Sequence, residues 1–426
     1  EVRTINTELF ELSVQKNGRT NLLSPSGTLF FDNAHPQVVY AGEDRIRPLD
    51  LDGRLTARYE VNDRLGRGLG MQYKKGDCEW LIQVYPTKPF ITARVIFENT
   101  SNRAVRVSKL TPWAVGAPRT GSVFMGPRAS GSLLLDNGRL FRGFNDYAEV
   151  VRGKSISQWN LAAHNPATGH TVIAGFLTNH RAYTQIHIER SDSADDNAFD
   201  LFRAECIYDP PVEVPAKGRL ESELFYLSIG ESDPLLGLDR YAKAKAVING
   251  VRDERPFLPH GWDSWSTRYH RDIDEAKILE NLDFVDRHLK RYGWEHFAID
   301  AGWERGLADW EADPERFPRG MRPIAEEIHR RGMTAGLWID PFTIPRDSAF
   351  ARAHPDWLAE PHALGRIVMG TNKLILDVTV PEAADYARDL VRKIRRDWGF
   401  DALVETDFVY HLLLAEEYAN PALTRI

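Results

Sequence analysis

The spacing of apolar residues changes near Pro256, and this change constrains the fold of the 426-residue chain more than any other feature. Up to about residue 230, apolar and polar residues alternate in short runs separated by Gly, Pro, Asn and Asp, which is typical of antiparallel strands. After Pro256, short apolar runs alternate with helical stretches, which indicates a parallel sheet. The sequence therefore predicts a multidomain chain: an antiparallel β-sandwich over 1–232, a connecting helix within 233–255 and a β/α barrel over 256–426.

Local signals add detail to both halves. The run ITARVIFENTSNRAVRVSKL has two alternating segments around the polar residues 99–102, which predicts a β-hairpin. The same turn contains an Asn99-Thr100-Ser101 glycosylation sequon, for which a plain turn is the simpler interpretation. In the second half, Gly332 is expected to terminate a helix, and Thr379 with Glu382 forms a capping-box pattern that predicts the start of a later one.

Acidic and aromatic residues follow each of four predicted barrel strands. They are Trp262, Asp263 and Trp265 on the first strand, Asp300 and Trp303 on the second, Trp338 and Asp340 on the third, and Glu405 and Asp407 on the fourth. Because the carboxyl ends of barrel strands meet at one mouth, where active sites lie, these side chains are expected to share a pocket. Acids mixed with tryptophans suit a carbohydrate better than a phosphate.

Composition narrows the class of ligand. A net charge of -7 with no long basic run argues against nucleic acid, while eleven tryptophans supply flat faces suited to sugar rings. No apolar stretch has membrane-spanning length, so no membrane partner is expected. No histidine pair has metal-ligand spacing, so neither a metal nor another cofactor is expected. The two cysteines leave the compartment undecided between cytoplasmic and secreted.

Seven short motifs, in order, resemble glycoside hydrolase family 36, the α-galactosidase-like family, over residues 256 to about 410. They are GWDSW, IDAGW, ADWEADPERFPRGM, GLWIDPF, HPDWL, LILDVTVPE and WGFDALVETDF. The resemblance implies an N-terminal β-supersandwich followed by a TIM-type barrel. It also implies a retaining α-glycoside hydrolase that cleaves terminal α-linked sugars through a covalent glycosyl-aspartate intermediate.

The resemblance assigns roles to individual positions. Asp407, at the end of the fourth barrel strand, corresponds to the nucleophile, whereas the structural alternative is an aspartate that caps the next helix. Trp338 corresponds to a tryptophan that lines the sugar pocket, and Asp300 to an aspartate that binds sugar hydroxyls. Packing of the loop layer competes with a substrate-binding role for Trp265, Trp303 and Trp310, and a turn or helix cap competes with it for Asp340.

Three positions depart from the family pattern. A second aspartate is replaced by Ala301, a lysine two residues before the nucleophile by Glu405, and an arginine by Thr371. Loss of a buried charged hydrogen bond typically costs about 1.5 to 3 kcal/mol, so galactose would be held weakly unless other residues compensate. Glu405 is expected either to act as a second substrate-binding acid near Asp407 or to be engaged by a neighbouring cation.

The leading hypothesis is therefore an α-galactosidase-like hydrolase of oligosaccharides or α-glycosides. A transglycosidase and a non-catalytic carbohydrate-binding protein on a degenerate barrel are the alternatives. The resemblance places the acid/base aspartate on a later strand, beyond Ile426, so the sequence is expected to be the truncated first half of a barrel. The sugar, the linkage and a homo-oligomeric assembly remain open.

Overall fold

The alternating half of the chain folds as antiparallel sheets in the computed structural model. The structure describes residues 3–7, 9–15, 19–41, 47–48, 55–117, 120–137, 146–149, 153–191, 196–251, 260–401 and 404–420. Two compact units divide the chain, one built on Glu1–Asp253 and the other on Glu254–Thr424.

The first unit consists of strands β1 to β21. The strands up to β10 are β1 Arg3–Asn6, β2 Glu11–Val14, β3 Thr20–Leu23, β4 Leu29–Tyr40, β5 Arg47–Pro48, β6 Leu55–Asp63, β7 Gly66–Lys75, β8 Cys78–Val84, β9 Phe90–Glu98 and β10 Val105–Gly116. The remainder are β11 Val123–Phe124, β12 Leu133–Asp136, β13 Asp146–Glu149, β14 Gly153–Gln158, β15 Asn160–Asn165, β16 His170–Phe176, β17 Tyr183–Arg190, β18 Ala198–Phe199, β19 Leu201–Val214, β20 Arg219–Glu221 and β21 Phe225–Ile229.

These strands form two large sheets. One has the order β1-β2-β3-β4-β10-β19-β17-β14 with β5, β11 and β18 attached, and the other has the order β13-β12-β15-β16-β21-β9-β8-β7-β6 with β20 attached to β9. Trp80 from the second sheet and Trp113 from the first meet with ring centroids 5.6 Å apart, and both are fully buried. The indole N–H of Trp80 donates to the carbonyl of Pro112 at 2.8 Å, so the apolar core also satisfies this polar group.

The predicted hairpin around residues 99–102 is wrong. Strand β9 pairs with β8, β20 and β21, whereas β10 pairs with β4 and β19, so the connection crosses from one sheet to the other. The turn itself is present. Asn99 is 2% exposed, and its amide nitrogen donates to the carbonyls of Arg103, Val214 and Pro215. Asn99 therefore stabilises a turn, and these hydrogen bonds already occupy its side-chain amide nitrogen.

Helix α1, Pro234–Ile248, packs against the second sheet of the sandwich. Asp233 caps its N-terminus by accepting the N–H of Leu235, and Gly250 follows its C-terminus at a φ of 66°. The hydroxyl of Tyr241 donates to the carbonyl of Phe176 at 2.7 Å. The predicted connecting helix is thus packed onto the first unit by its own buried face.

The second unit alternates strands with helices. Its elements are β22 Gly261–Asp263, α2 Glu275–Phe284, β23 His296–Ile299, β24 Glu304–Gly306, β25 Asp309–Ala312, α3 Arg322–Arg330, β26 Thr334–Ile339, β27 Thr343–Pro345, α4 Ala349–Ala353, β28 Leu358–Ala359, α5 Ala363–Met369, β29 Lys373–Leu376, α6 Pro381–Arg392 and β30 Val404–Thr406. The sheet has the order β22-β23-β26-β30 with every pair parallel, while β24-β25 and β27-β29-β28 form two small antiparallel sheets. Four sequential parallel strands are the arrangement expected for the first part of a β/α barrel.

Helix boundaries in this unit follow some sequence signals and not others. Helix α3 ends before Gly332, which adopts a φ of 68° as expected for a residue that terminates a helix. The capping-box prediction is wrong, because α6 begins at Pro381 with Val380 at the cap position. Thr379 instead donates its hydroxyl to Asp377 at 2.5 Å. Within the described part of the chain, no helix is long and apolar enough to cross a membrane.

Gly261 provides a test of the parallel pairing that begins the barrel sheet. A Cβ at this position would overlap the carbonyl oxygen of His296 on β23, so the strands would have to separate. We expect Gly261→Ala to lower the free energy of unfolding by about 1–3 kcal/mol or more. The matched control is Gly306→Ala, where nothing lies within 4 Å of the added carbon, and its effect should stay within about 0.5 kcal/mol. Equal effects of the two substitutions in urea denaturation would contradict the strand packing described here.

Candidate active site

The carboxylate of Asp407 lies beside the indole of Trp338 at the carboxyl end of the barrel sheet. Strands β26 and β30 pair in register with Trp338 opposite Glu405, and the N–H of Asp407 continues the ladder by donating to the carbonyl of Ile339 at 2.9 Å. The indole nitrogen of Trp338 donates to one carboxylate oxygen at 3.3 Å, and the N–H of Phe408 donates to the other at 2.7 Å. Each oxygen of Asp407 thus has a hydrogen-bond donor.

Two further tryptophans pack around Trp338. Trp303 is 0% exposed and donates its indole N–H to the carbonyl of Trp338 at 2.9 Å. Trp310, on the β24-β25 hairpin, lies with its ring centroid 5.9 Å from that of Trp338. Both residues were predicted to bind substrate. Trp303 holds the backbone of Trp338 and Trp310 packs against its ring, while Trp338 itself is only 3% exposed. The substrate-binding roles of Trp303 and Trp310 remain predictions.

Asp300 and Trp265 lie at the ends of the neighbouring strands. Asp300 follows β23 directly, is buried, and donates its backbone N–H to the hydroxyl of Ser264 at 2.8 Å. Trp265 is 44% exposed and follows β22 in a turn in which Asp263 accepts its N–H at 2.9 Å. These positions are at the same end of the sheet as Asp407, as predicted. Their substrate-binding roles remain predictions, and the side chain of Glu405 lies outside the described residues.

Asp340 is the second carboxylate near Asp407. It follows β26 directly and is only 2% exposed. One of its oxygens accepts the backbone N–H groups of Phe342 and Thr343 at 3.3 and 3.1 Å, which is the turn-capping role that competed with substrate binding in the sequence. Asp340 could therefore cap this turn and bind substrate at the same time only if the substrate contacts its other carboxylate oxygen.

The structure adds residues that the sequence did not single out. The hydroxyl of Thr343 lies 2.6 Å from Nδ1 of His411, and both side chains are buried. The ring of His411 stacks on Phe408 with centroids 5.1 Å apart and an interplanar angle of 11°. The weak signal available in the sequence was proximity along the chain, since Thr343 follows Asp340 by three positions and His411 follows Asp407 by four.

Burial shifts the pKa values of Asp340 and His411 in opposite directions. It raises the pKa of Asp340 to about 6, an effect that hydrogen bonds from Thr343 and Phe342 reduce and the charge of Asp407 increases. Burial lowers the pKa of His411 to about 4, although the charge of Asp407 acts in the opposite direction. Burial, Asp407 and Asp340 together raise the pKa of Tyr410. At neutral pH, Asp407 therefore has two buried neighbours: the uncharged imidazole of His411 and the carboxyl group of Asp340.

The arrangement suits reactions at an uncharged polar ligand. The carboxylate of Asp407 is partly exposed, and a carboxylate so placed can attack an electrophilic carbon. Among the described residues, no group of three His, Cys, Asp or Glu side chains is placed to hold a metal ion.

A large antiparallel sandwich followed by parallel β/α strands with a carboxylate at their ends is the architecture of sandwich-plus-barrel glycoside hydrolases. Residues 240–412 match the family model described as Melibiase, which confirms the resemblance to glycoside hydrolase family 36. Over 116 residues, 25% of this chain, the sequence is 33% identical to an alpha-galactosidase from Escherichia coli. The predicted fold class is confirmed by solved alpha-galactosidase structures.

One such structure, from Lactobacillus brevis, aligns with a TM-score of 0.60 at 15% identity over 94% of this chain and 62% of its own. A family 36 alpha-galactosidase variant from Geobacillus stearothermophilus, in complex with raffinose, aligns with a TM-score of 0.60 at 16% identity over 94% of this chain and 64% of its own. The chain thus spans less than two thirds of either solved chain, and the match to the Escherichia coli enzyme covers 16% of that protein.

The opposite pKa shifts predict opposite pH dependences of stability for two variants. Because the pKa of Asp340 is raised, its protonated form contributes stability that is complete below about pH 4 and is lost as the pH rises through about 6. Because the pKa of His411 is lowered, its neutral form contributes stability that is present above about pH 6.5 and is lost as the pH falls through about 4. Wild type should therefore lose its advantage over Asp340→Asn with rising pH and its advantage over His411→Gln with falling pH, each by at most about 3 kcal/mol.

Urea denaturation at constant ionic strength between pH 4 and pH 7 measures both differences. Asp389→Asn is the control, because this exposed aspartate pairs with Arg392 on the surface of α6. Two flat profiles, or two profiles of the same sign, would contradict the environments assigned to Asp340 and His411.

Proposed function

We propose that this chain bears the nucleophile of a retaining α-glycoside hydrolase of the α-galactosidase type, with Asp407 in that role. The observation that supports the proposal is the pairing of the Asp407 carboxylate with the indole N–H of Trp338, 3.3 Å away, at the carboxyl end of the parallel strands. A carboxylate at this end of a barrel lies at the mouth where substrates bind, and the adjacent indole N–H fixes one of its oxygens.

The chemistry follows from these groups. A carboxylate oxygen of Asp407 attacks the anomeric carbon, the bond to the leaving oxygen breaks, and a glycosyl ester of Asp407 forms with inversion. The leaving oxygen takes a proton from a general acid, which the family resemblance assigns to a later strand, or departs as an anion when it is a phenolate as acidic as dinitrophenolate. Water then attacks the same carbon and gives its proton to that acid/base group, the ester bond breaks with a second inversion, and the sugar leaves with its original anomeric configuration. The indole N–H of Trp338 and the N–H of Phe408 orient the two oxygens and leave one lone pair on each oxygen for attack.

The comparisons support an α-galactoside as substrate class. The similar proteins include alpha-galactosidases from several organisms, and the Geobacillus stearothermophilus variant described above was solved with raffinose. We therefore propose an oligosaccharide or simple glycoside with a terminal α-linked galactose or a close analogue.

Carbohydrate binding without hydrolysis is the second candidate. It is favoured by Ala301, a buried apolar residue next to Asp300 where the family resemblance implies a second sugar-binding aspartate. A sugar held without that carboxylate would be oriented by fewer polar groups, so binding could persist while turnover is lost.

An aryl α-galactoside with a dinitrophenol leaving group tests the nucleophile directly, because such a leaving group needs no proton donor. Wild type should release dinitrophenol and give the α-anomer as the first product, read by NMR. Asp407→Gly should lose about 10³-fold or more in rate, since a covalent nucleophile is removed. Added azide should then restore release and form the β-galactosyl azide, because the small anion enters the vacated position.

Asp389→Asn is the matched control, and it should retain the wild-type rate because its carboxylate is exposed on α6. Rapid turnover by Asp407→Gly without azide would remove Asp407 from the nucleophile role. Saturable binding of raffinose with no turnover of any aryl glycoside would support the binding candidate instead.

A further inference from the structure

We propose that Thr343 and His411 form a latch that positions the carboxylate of Asp407 for attack, and that both are positioning residues that do not touch substrate. This inference rests on the proposed role of Asp407. The Thr343–His411 latch is the hydrogen-bonded pair of the Thr343 hydroxyl and Nδ1 of His411, which lie 2.6 Å apart.

The need for a latch arises at Phe408. This residue adopts φ 51° and ψ 25°, a left-handed conformation that is unfavourable for a bulky side chain and persists only where neighbouring contacts impose it. The peptide unit that joins Asp407 to Phe408 donates its N–H to a carboxylate oxygen of Asp407 at 2.7 Å, so contacts that anchor Phe408 in this turn also anchor that donor. If the turn at Phe408 were released, this peptide unit could move and the carboxylate would be freer to rotate.

His411 imposes the conformation from the following turn. Its backbone N–H donates to the carbonyl of Phe408 at 2.8 Å, and its ring lies parallel to the Phe408 ring. The backbone and the side chain of Phe408 are thus both held by one residue. His411, together with Tyr410, whose ring centroid lies 5.8 Å from that of Phe408, therefore holds the left-handed turn.

Thr343 in turn holds His411. The hydroxyl group is buried at the start of β27, and the N–H of the same residue donates to Asp340 at 3.1 Å. Asp340 follows directly on the strand that bears Trp338. The latch thereby couples the two sides of the proposed nucleophile: Trp338 approaches one oxygen from β26, and the donor to the other oxygen is fixed through Asp340, Thr343 and His411.

Thr343→Val removes the hydroxyl and keeps the shape, so it breaks the latch with the least disturbance of packing. With the dinitrophenyl α-galactoside, we expect kcat to fall between about tenfold and a hundredfold while KM changes less than twofold, because orientation of the nucleophile is lost and substrate contacts are not. Thr343→Ser, which restores the hydroxyl, should recover most of the rate. Thr379→Val is the control: it removes another buried threonine hydroxyl of the same unit, which hydrogen-bonds Asp377, and it should leave kcat within twofold.

Hydrogen exchange by mass spectrometry provides a readout that needs no activity. Peptides covering residues 407–412 should exchange at least tenfold faster in Thr343→Val than in wild type, and Thr343→Ser and Thr379→Val should not show this change. If wild type fails to turn over the galactoside, the proposed function fails while exchange still tests the latch. A folded Thr343→Val protein with wild-type kcat and wild-type exchange in this segment would overturn the latch.

Discussion

The parallel pairing of β26 with β30 is the constraint on which the rest of the site depends. It sets Trp338 opposite Glu405, and the next ladder bond, from the N–H of Asp407 to the carbonyl of Ile339, extends the sheet to the aspartate itself. A residue held by strand hydrogen bonds varies less in position than one on a free loop, which is what an attacking group requires. Two further tryptophans stabilise Trp338 on β26. Trp303 hydrogen-bonds its backbone, and Trp310 packs against its ring.

Electrostatics at this point are set by burial. Two carboxylates close together repel each other, and burial of Asp340 adds to the cost of its ionised form, so its pKa rises to about 6, while Asp407 keeps partial access to solvent. Two backbone N–H groups donate to one oxygen of Asp340, and the neutral imidazole of His411 adds no charge near neutral pH. The acid that remains available to a ligand is therefore Asp407, in agreement with the division of roles that we propose.

The order of the four parallel strands was predictable from the sequence, because each is a short apolar run that ends in acidic or aromatic residues, whereas the two small antiparallel sheets were not predicted. Asp300, Asp340 and Asp407 directly follow their strands as expected, and Gly332 terminates α3. Alternation alone could not decide which strands pair, so β9 and β10 were assigned to one hairpin although they belong to different sheets. The capping-box pattern at Thr379 failed because the proline at 381 sets the helix start and a nearby aspartate takes the hydroxyl. The contact between Thr343 and His411 joins residues 68 positions apart, and no local pattern predicts such a contact.

The central claim is that Asp407 forms a covalent bond to the sugar, and capture of that bond tests it most directly. A fluorinated, activated α-galactoside slows hydrolysis of the glycosyl ester more than its formation, so the intermediate accumulates. After incubation, digestion and peptide mass spectrometry, the account predicts a single added glycosyl group on Asp407, absent from the Asp407→Asn variant. A glycosyl group on any other side chain, Asp340 included, would contradict the account.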